Sequence, residues 1–195
     1  AQRGTSFVVG AGASNNYTLD QFLLETNITT GAITAAQQTL GASDAPYTSN
    51  AILHSLRLTA TTTLSAYSNV GLQQVLEGYN TADLLWGSPQ GLPVTLSCWI
   101  KTNAATSSIV TMSIKNFTNT HSYPFNVTIA SSGAWQYVSQ TIPAPPVTSV
   151  WDSTSNGSMR VYLIGYDTRG TVTGNTWNAS AFYSTSTTTN IFGTL

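Results

Sequence analysis

The chain has 195 residues, of which 41% are hydrophobic and only 7% charged, against about 25% charged in an ordinary globular domain. Six Lys and Arg against seven Asp and Glu give a net charge of −1, which excludes the clustered cations of a nucleic-acid surface or a polybasic membrane helix. No apolar run approaches the roughly 18 residues of a spanning helix, and no signal-peptide pattern is present.

In place of charge the chain carries Ser, Thr and Asn. Thr packs well on a pleated surface and Ser and Asn suit turns, so the composition points to β structure. Alternation of apolar and polar residues predicts strands over Ser6–Val9, Gln21–Thr26, Ile33–Leu40, Ile52–Ala60 and Val70–Glu77. A single helical turn is expected near Asn80–Leu85, capped by Asn80 or Thr81. Strands resume over Val94–Ile100, Ser108–Lys115, Tyr123–Ile129, Trp135–Ile142, Ser158–Tyr166 and Trp177–Tyr183. The Ser158–Tyr166 stretch is apolar or aromatic on both faces. Turn residues punctuate the pattern at Gly10-Ala11-Gly12, Gly41–Pro46, Gly87-Ser88-Pro89, Ser131-Ser132-Gly133 and Pro143–Pro146. About ten short strands at this spacing, with no repeat and no linker, predict one all-β domain over residues 1–195. Its expected architecture is an antiparallel two-sheet β-sandwich of jelly-roll type.

Side chains that carry chemistry are sparse. Cys98 has no second cysteine to pair with and shares parity with Val94, Leu96 and Ile100, so it reads as a small buried hydrophobe. His54 and His121 lack metal-ligand spacing, and His54 falls on an apolar parity as a core or edge residue. A glycosidase needs two facing carboxylates; Glu77 and Asp83 are the pair to consider, but no serine elbow or phosphate-cradling glycine loop accompanies them. No defined calcium-ligand run is present, and no metal or other cofactor is expected. Six Asn-X-Ser/Thr triplets, at Asn16, Asn27, Asn116, Asn126, Asn156 and Asn178, are what an Asn-, Ser- and Thr-rich chain produces by chance, and Asn126 falls mid-strand.

Three stretches taken in order carry a resemblance: Gln73-Gln74-Val75-Leu76-Glu77-Gly78-Tyr79, then Ala82-Asp83-Leu84-Leu85-Trp86-Gly87, then Pro93-Val94-Thr95-Leu96-Ser97-Cys98-Trp99-Ile100-Lys101. With Ser122-Tyr123-Pro124-Phe125, Trp135-Gln136-Tyr137, Thr141-Ile142-Pro143 and the opening Gln2–Phe7, they span nearly the whole chain. The chain resembles the carbohydrate-binding-module-like jelly roll of phage tail fibres and other viral surface proteins. It departs from that pattern in having Cys98 where a Phe is usual and in stopping before a final Gly-Val-Gln-Leu-Glu-like strand. The resemblance implies a virion-surface module without catalytic activity. Its partners would be a host cell-surface glycan, other virion proteins and copies of itself, trimers being common among fibres. The rival reading is a capsid decoration, cement or tail-assembly protein of purely structural role.

Sandwiches hold sugars by stacking a flat aromatic ring on the pyranose while polar neighbours bond its hydroxyls. Trp99 shares parity with Thr95, Ser97 and Lys101, opposite the core set, and so stands on a polar face. Tyr79, Asp83 and Trp86 lie in a connection between strands, where Trp86 can equally serve as a plug closing the end of the sandwich. Trp151, between a Pro-rich stretch and Asp152–Gly157, is expected at an exposed loop edge, whereas Trp135, opening a strand, reads as core. The candidate glycan-binding residues are therefore Tyr79, Asp83, Trp86, Trp99 and Trp151.

Overall fold

The computed structural model describes residues 4–19, 21–46, 52–61, 64, 67–168, 172–182 and 184–192. Asp20, Tyr183 and the first two residues of the opening Gln2–Phe7 motif, Gln2 and Arg3, lie outside them. Among the described residues eleven strands occur: β1 (Ser6–Val9), β2 (Gly12–Tyr17), β3 (Phe22–Ile28), β4 (Ile33–Thr39), β5 (His54–Ala60), β6 (Tyr67–Glu77), β7 (Val94–Lys101), β8 (Ile109–Asn116), β9 (Ser122–Thr128), β10 (Trp135–Ile142) and β11 (Gly157–Asp167). All strand pairs are antiparallel, as the alternation predicts. The fold is an all-β sandwich.

One layer is a six-stranded sheet in the order β2-β3-β6-β11-β8-β9. The facing layer is split into a three-stranded sheet, β1-β4-β5, and a two-stranded sheet, β10-β7. Each half has its own core. Val9, Ile33, Leu56 and Leu58 pack on Leu24, Ile28, Val70 and Leu72 in one half. Val94, Leu96, Cys98, Val138 and Ile142 pack on Met112, Ile114, Phe125 and Met159 in the other. Burying one such aliphatic side chain contributes roughly 1.5–3 kcal/mol. Asp44, in the turn after β4, ties the halves at the surface: its carboxylate accepts the Trp135 indole N–H at 2.7 Å and lies 3.7 Å from Lys101 Nζ.

Four expectations need correction. The chain bends at Gly10-Ala11, but Gly12 and the residues after it form β2, which pairs with β3 along its length; a strand of Asn and Ser has no apolar alternation to betray it. Trp177–Tyr183 is not a strand in its described part. Asn178 makes a single bridge to Ser122, and the segment crosses the edge of β9. Near Asn80 there are two single-turn 3-10 helices, Gly78–Asn80 and Ala82–Leu84, and neither has a side-chain cap. The Thr81 hydroxyl instead donates back to the Gly78 carbonyl at 3.3 Å. Trp135 is not core: it is half-buried on the outer parity of β10, its ring under Lys101 Nζ at 5.6 Å.

The apolar-on-both-faces pattern of β11 has a structural cause. β11 is central in its sheet, and its register shifts between Tyr162 and Ile164. Met159 and Val161 therefore face one core while Leu163 and Ile164 face the other. The opposite, outer side of β11 is also covered. Tyr162 is 0% exposed there and donates its hydroxyl to Glu25 Oε2 at 2.7 Å, and Gln73 Nε2 donates to the same oxygen at 3.1 Å. Lys115, also buried, places its ammonium 4.8 Å from the Tyr162 ring centroid. Residues 184–192 lie over part of this face through hydroxyl and amide bonds, Thr188 to Thr111 at 2.5 Å and Thr185 to Asn126 at 2.7 Å among them.

Candidate functional site

The two-stranded sheet leaves its outer face bare. Along β7 the even positions turn inward, and the odd positions Thr95, Ser97, Trp99 and Lys101 are exposed. Antiparallel register sets Thr141, Ser139, Tyr137 and Trp135 of β10 directly opposite them, in that order. The pairing converts a sequence alternation into four cross-strand rungs. Thr95 and Thr141 share a hydroxyl–hydroxyl bond of 3.0 Å. Ser97 faces Ser139, and then Trp99 faces Tyr137 with ring centroids 5.4 Å apart and planes inclined by 57°. Lys101 and Trp135 close the row beside Asp44.

Trp99 is 38% and Tyr137 55% exposed, so both rings offer a face to solvent. The inclined pair makes a shallow angled cradle, flanked on one side by small hydroxyls and on the other by an ammonium and a carboxylate. Hydrogen bonds from the Gly41 amide and the Trp135 indole hold the Asp44 carboxyl below its ordinary value, with help from Lys101. It therefore stays an acceptor in mildly acidic solution. Cys98, one residue from Trp99, points the other way into the core, and burial pushes its thiol up.

The other candidates gather at one end of the sandwich, where residues 78–92 meet residues 144–156. Trp86 is buried and stands edge-on to Trp151, centroids 4.6 Å apart at 76°, and both meet Trp177 at near-perpendicular angles. Each indole N–H is committed: Trp86 to the Leu92 carbonyl at 2.6 Å, Trp151 to Ser149 Oγ at 2.8 Å, Trp177 to the Pro143 carbonyl at 2.9 Å. Trp86 is thus the plug. Trp151 is half-buried against it and not at an exposed loop edge. Tyr79, at 68%, and Asp83 are exposed on the two 3-10 turns. Glu77 and Asp83 are both exposed, on either side of the first turn.

The structure brings together Trp86 and Trp151 but sets Trp99 on a different surface. Parity along β7 already set Lys101 beside Trp99, but Tyr137 and Trp135 escape a single-strand reading, because partnership across β7 and β10 depends on which strands pair and in what register. The one available signal was parity: Trp135 and Tyr137 alternate with apolar Val138 as Trp99 alternates with Cys98. Among the described residues no group of three His, Cys, Asp or Glu side chains converges to hold a metal ion. The chain matches no family model, no curated protein and no solved structure.

Proposed function

We propose that the chain is a non-catalytic glycan-binding module of tail-fibre type, displayed on a virion, with the outer face of β7 and β10 as its binding surface. The observation that carries this reading is the exposed Trp99–Tyr137 pair, set among hydroxyls and one ion pair on an otherwise flat ribbon. An isolated surface aromatic needs no explanation, but two large rings exposed in register add apolar area that a monomer gains nothing by showing to water. Such rings stack on the apolar face of a pyranose, and the inclination suits one sugar lying on one ring with its edge against the other. The virion setting and the host-cell glycan rest on the resemblance of the sequence motifs.

A glycan array probed with the intact chain tests the reading. Specific binding should fall at least about tenfold, or 1.4 kcal/mol, in Trp99→Ala and in Tyr137→Ala. Binding that both variants leave unaltered overturns it. A second reading, a structural decoration or assembly protein, is favoured by the exposed Leu85, Leu92, Val147 and Val150 on the two loops that meet at the end of the sandwich. It gains if sedimentation shows association lost on Val150→Ser while the array stays blank.

A further inference from the structure

A cleft of about 270 Å³ opens at the end of the sandwich between the two loops, away from the β7–β10 face. Its walls include Thr81, Trp86, Ser88, Trp151, Asp152 and Ser158. The loops are locked together at their backbones. Gly87 has φ +87, and a Cβ there would sit 2.6 Å from the Ser149 carbonyl oxygen; one on Gly78 would sit 2.5 Å from that of Asp152. Perpendicular indoles cannot fill space as stacked ones do, so a notch remains beside Trp86 and Trp151 even with the loops in contact.

The polar groups of this notch are mostly acceptors. The Thr81 and Ser88 hydroxyl protons are given to the Gly78 and Leu85 carbonyls; Ser88 Oγ also accepts the Gln90 amide at 3.2 Å, so it keeps one lone pair for a ligand where Thr81 keeps two. The Asp152 carboxylate takes the Thr154 amide and hydroxyl on Oδ1 and the Asn156 amide on Oδ2, with acceptor capacity to spare. Those bonds, the Thr154 hydroxyl first, keep its carboxyl below the ordinary value and so ionised. With both indole N–H groups committed, the tryptophans present ring surface alone. Ser158, 1% exposed, is part of the lining, and its hydroxyl has no hydrogen-bond partner among the described residues. An acceptor-rich, negatively charged notch with aromatic walls calls for a small neutral ligand carrying several O–H donors. The volume lies just under the ~300 Å³ at which drug-sized pockets begin, room for one ring and not for a chain.

We infer that this cleft is a second carbohydrate subsite, taking a single neutral pyranose end-on, independent of the Trp99–Tyr137 face. The test titrates the folded intact chain with the methyl glycosides of glucose, galactose, mannose and N-acetylglucosamine, and with N-acetylneuraminic acid as the anionic comparison, followed by amide NMR shifts. At least one neutral glycoside should shift the Gly87, Ser153 and Ser158 amides saturably, and the anion should not. Ala82→Trp, at an exposed position of the wall, should fill the notch and weaken that binding about tenfold or more, without unfolding the chain. Ser158→Ala should weaken it several-fold while leaving the melting temperature unchanged or higher, since an unpaired buried hydroxyl is removed. Trp99→Ala should leave these shifts intact, which separates the subsite from the array result. The inference is overturned if no neutral glycoside moves those amides, if Ala82→Trp leaves the affinity unchanged, or if Trp99→Ala abolishes the shifts.

Discussion

The outer faces of the two layers are written in the same residues and end in opposite states. On the two-stranded sheet, Thr95, Ser97, Ser139 and Thr141 are exposed beside Trp99 and Tyr137. On the six-stranded sheet, Thr111, Ser113, Gln73 and Tyr162 are 0% exposed. Hydroxyl-bearing and aromatic residues alternate with apolar ones in both, so parity alone separates inward from outward and says nothing of what lies outside. The difference is made by coverage: Ser180, Thr185 and Thr188 supply partners for Ser122, Asn126 and Thr111. Burial turns each of those polar groups into an obligation to be bonded, since an unsatisfied one costs about 1–3 kcal/mol. A bare face is free of that obligation and is where polar groups remain available to a ligand.

Two tyrosines put the comparison at risk directly. Tyr162→Ala removes a sealed ring and one of the hydrogen bonds to Glu25, and should cost about 3–5 kcal/mol in urea unfolding. Tyr137→Ala, on the bare face, should cost no more than about 1 kcal/mol, the scale of one cross-strand pair. Equal costs would mean that the two faces are energetically alike and that Tyr137 holds the fold rather than a ligand. Tyr162→Phe refines the first result. It keeps the ring and deletes the hydroxyl with its bonds, the 2.7 Å one to Glu25 among them, so a loss of about 1–3 kcal/mol is expected. A loss near zero would show that the ring alone matters there.

How far the sequence could be read follows the same line. Strands with one apolar face, such as Val94–Lys101 and Trp135–Ile142, were legible to the residue or nearly so, because packing dictates their period. β2 was not, having no apolar period, nor was the tail, whose hydroxyls bond side chains far away in the chain, as Thr188 does Thr111. At the candidate site Trp99 was legible from its parity. Its partner Tyr137 was not, since only pairing places residues 38 positions apart side by side. The tryptophans of the end cluster were visible as residue types, but Trp177 joins Trp86 and Trp151 through a loop that obeys no period.

The smallest expected effect concerns the seam between the two sheets of the split layer, where Asp44 is the polar tie. The Gly41 amide and the Trp135 indole favour its charged form, so its folded pKa lies below the ordinary 3.8. A carboxyl lowered on folding contributes stability that is complete above the unfolded value and lost as pH falls through the folded one. The melting temperature of the wild type should therefore drop below pH 4, by more than that of Asp44→Asn, and the two curves should converge at the acid end. Near neutrality the difference should stay small, because an exposed ion pair is weak and salt screens it. Parallel curves at every pH would place the seam's stability in the apolar cores alone. Trp135 would then be as free as Trp99 to turn toward a ligand, and the bare face would extend across the seam instead of ending at it.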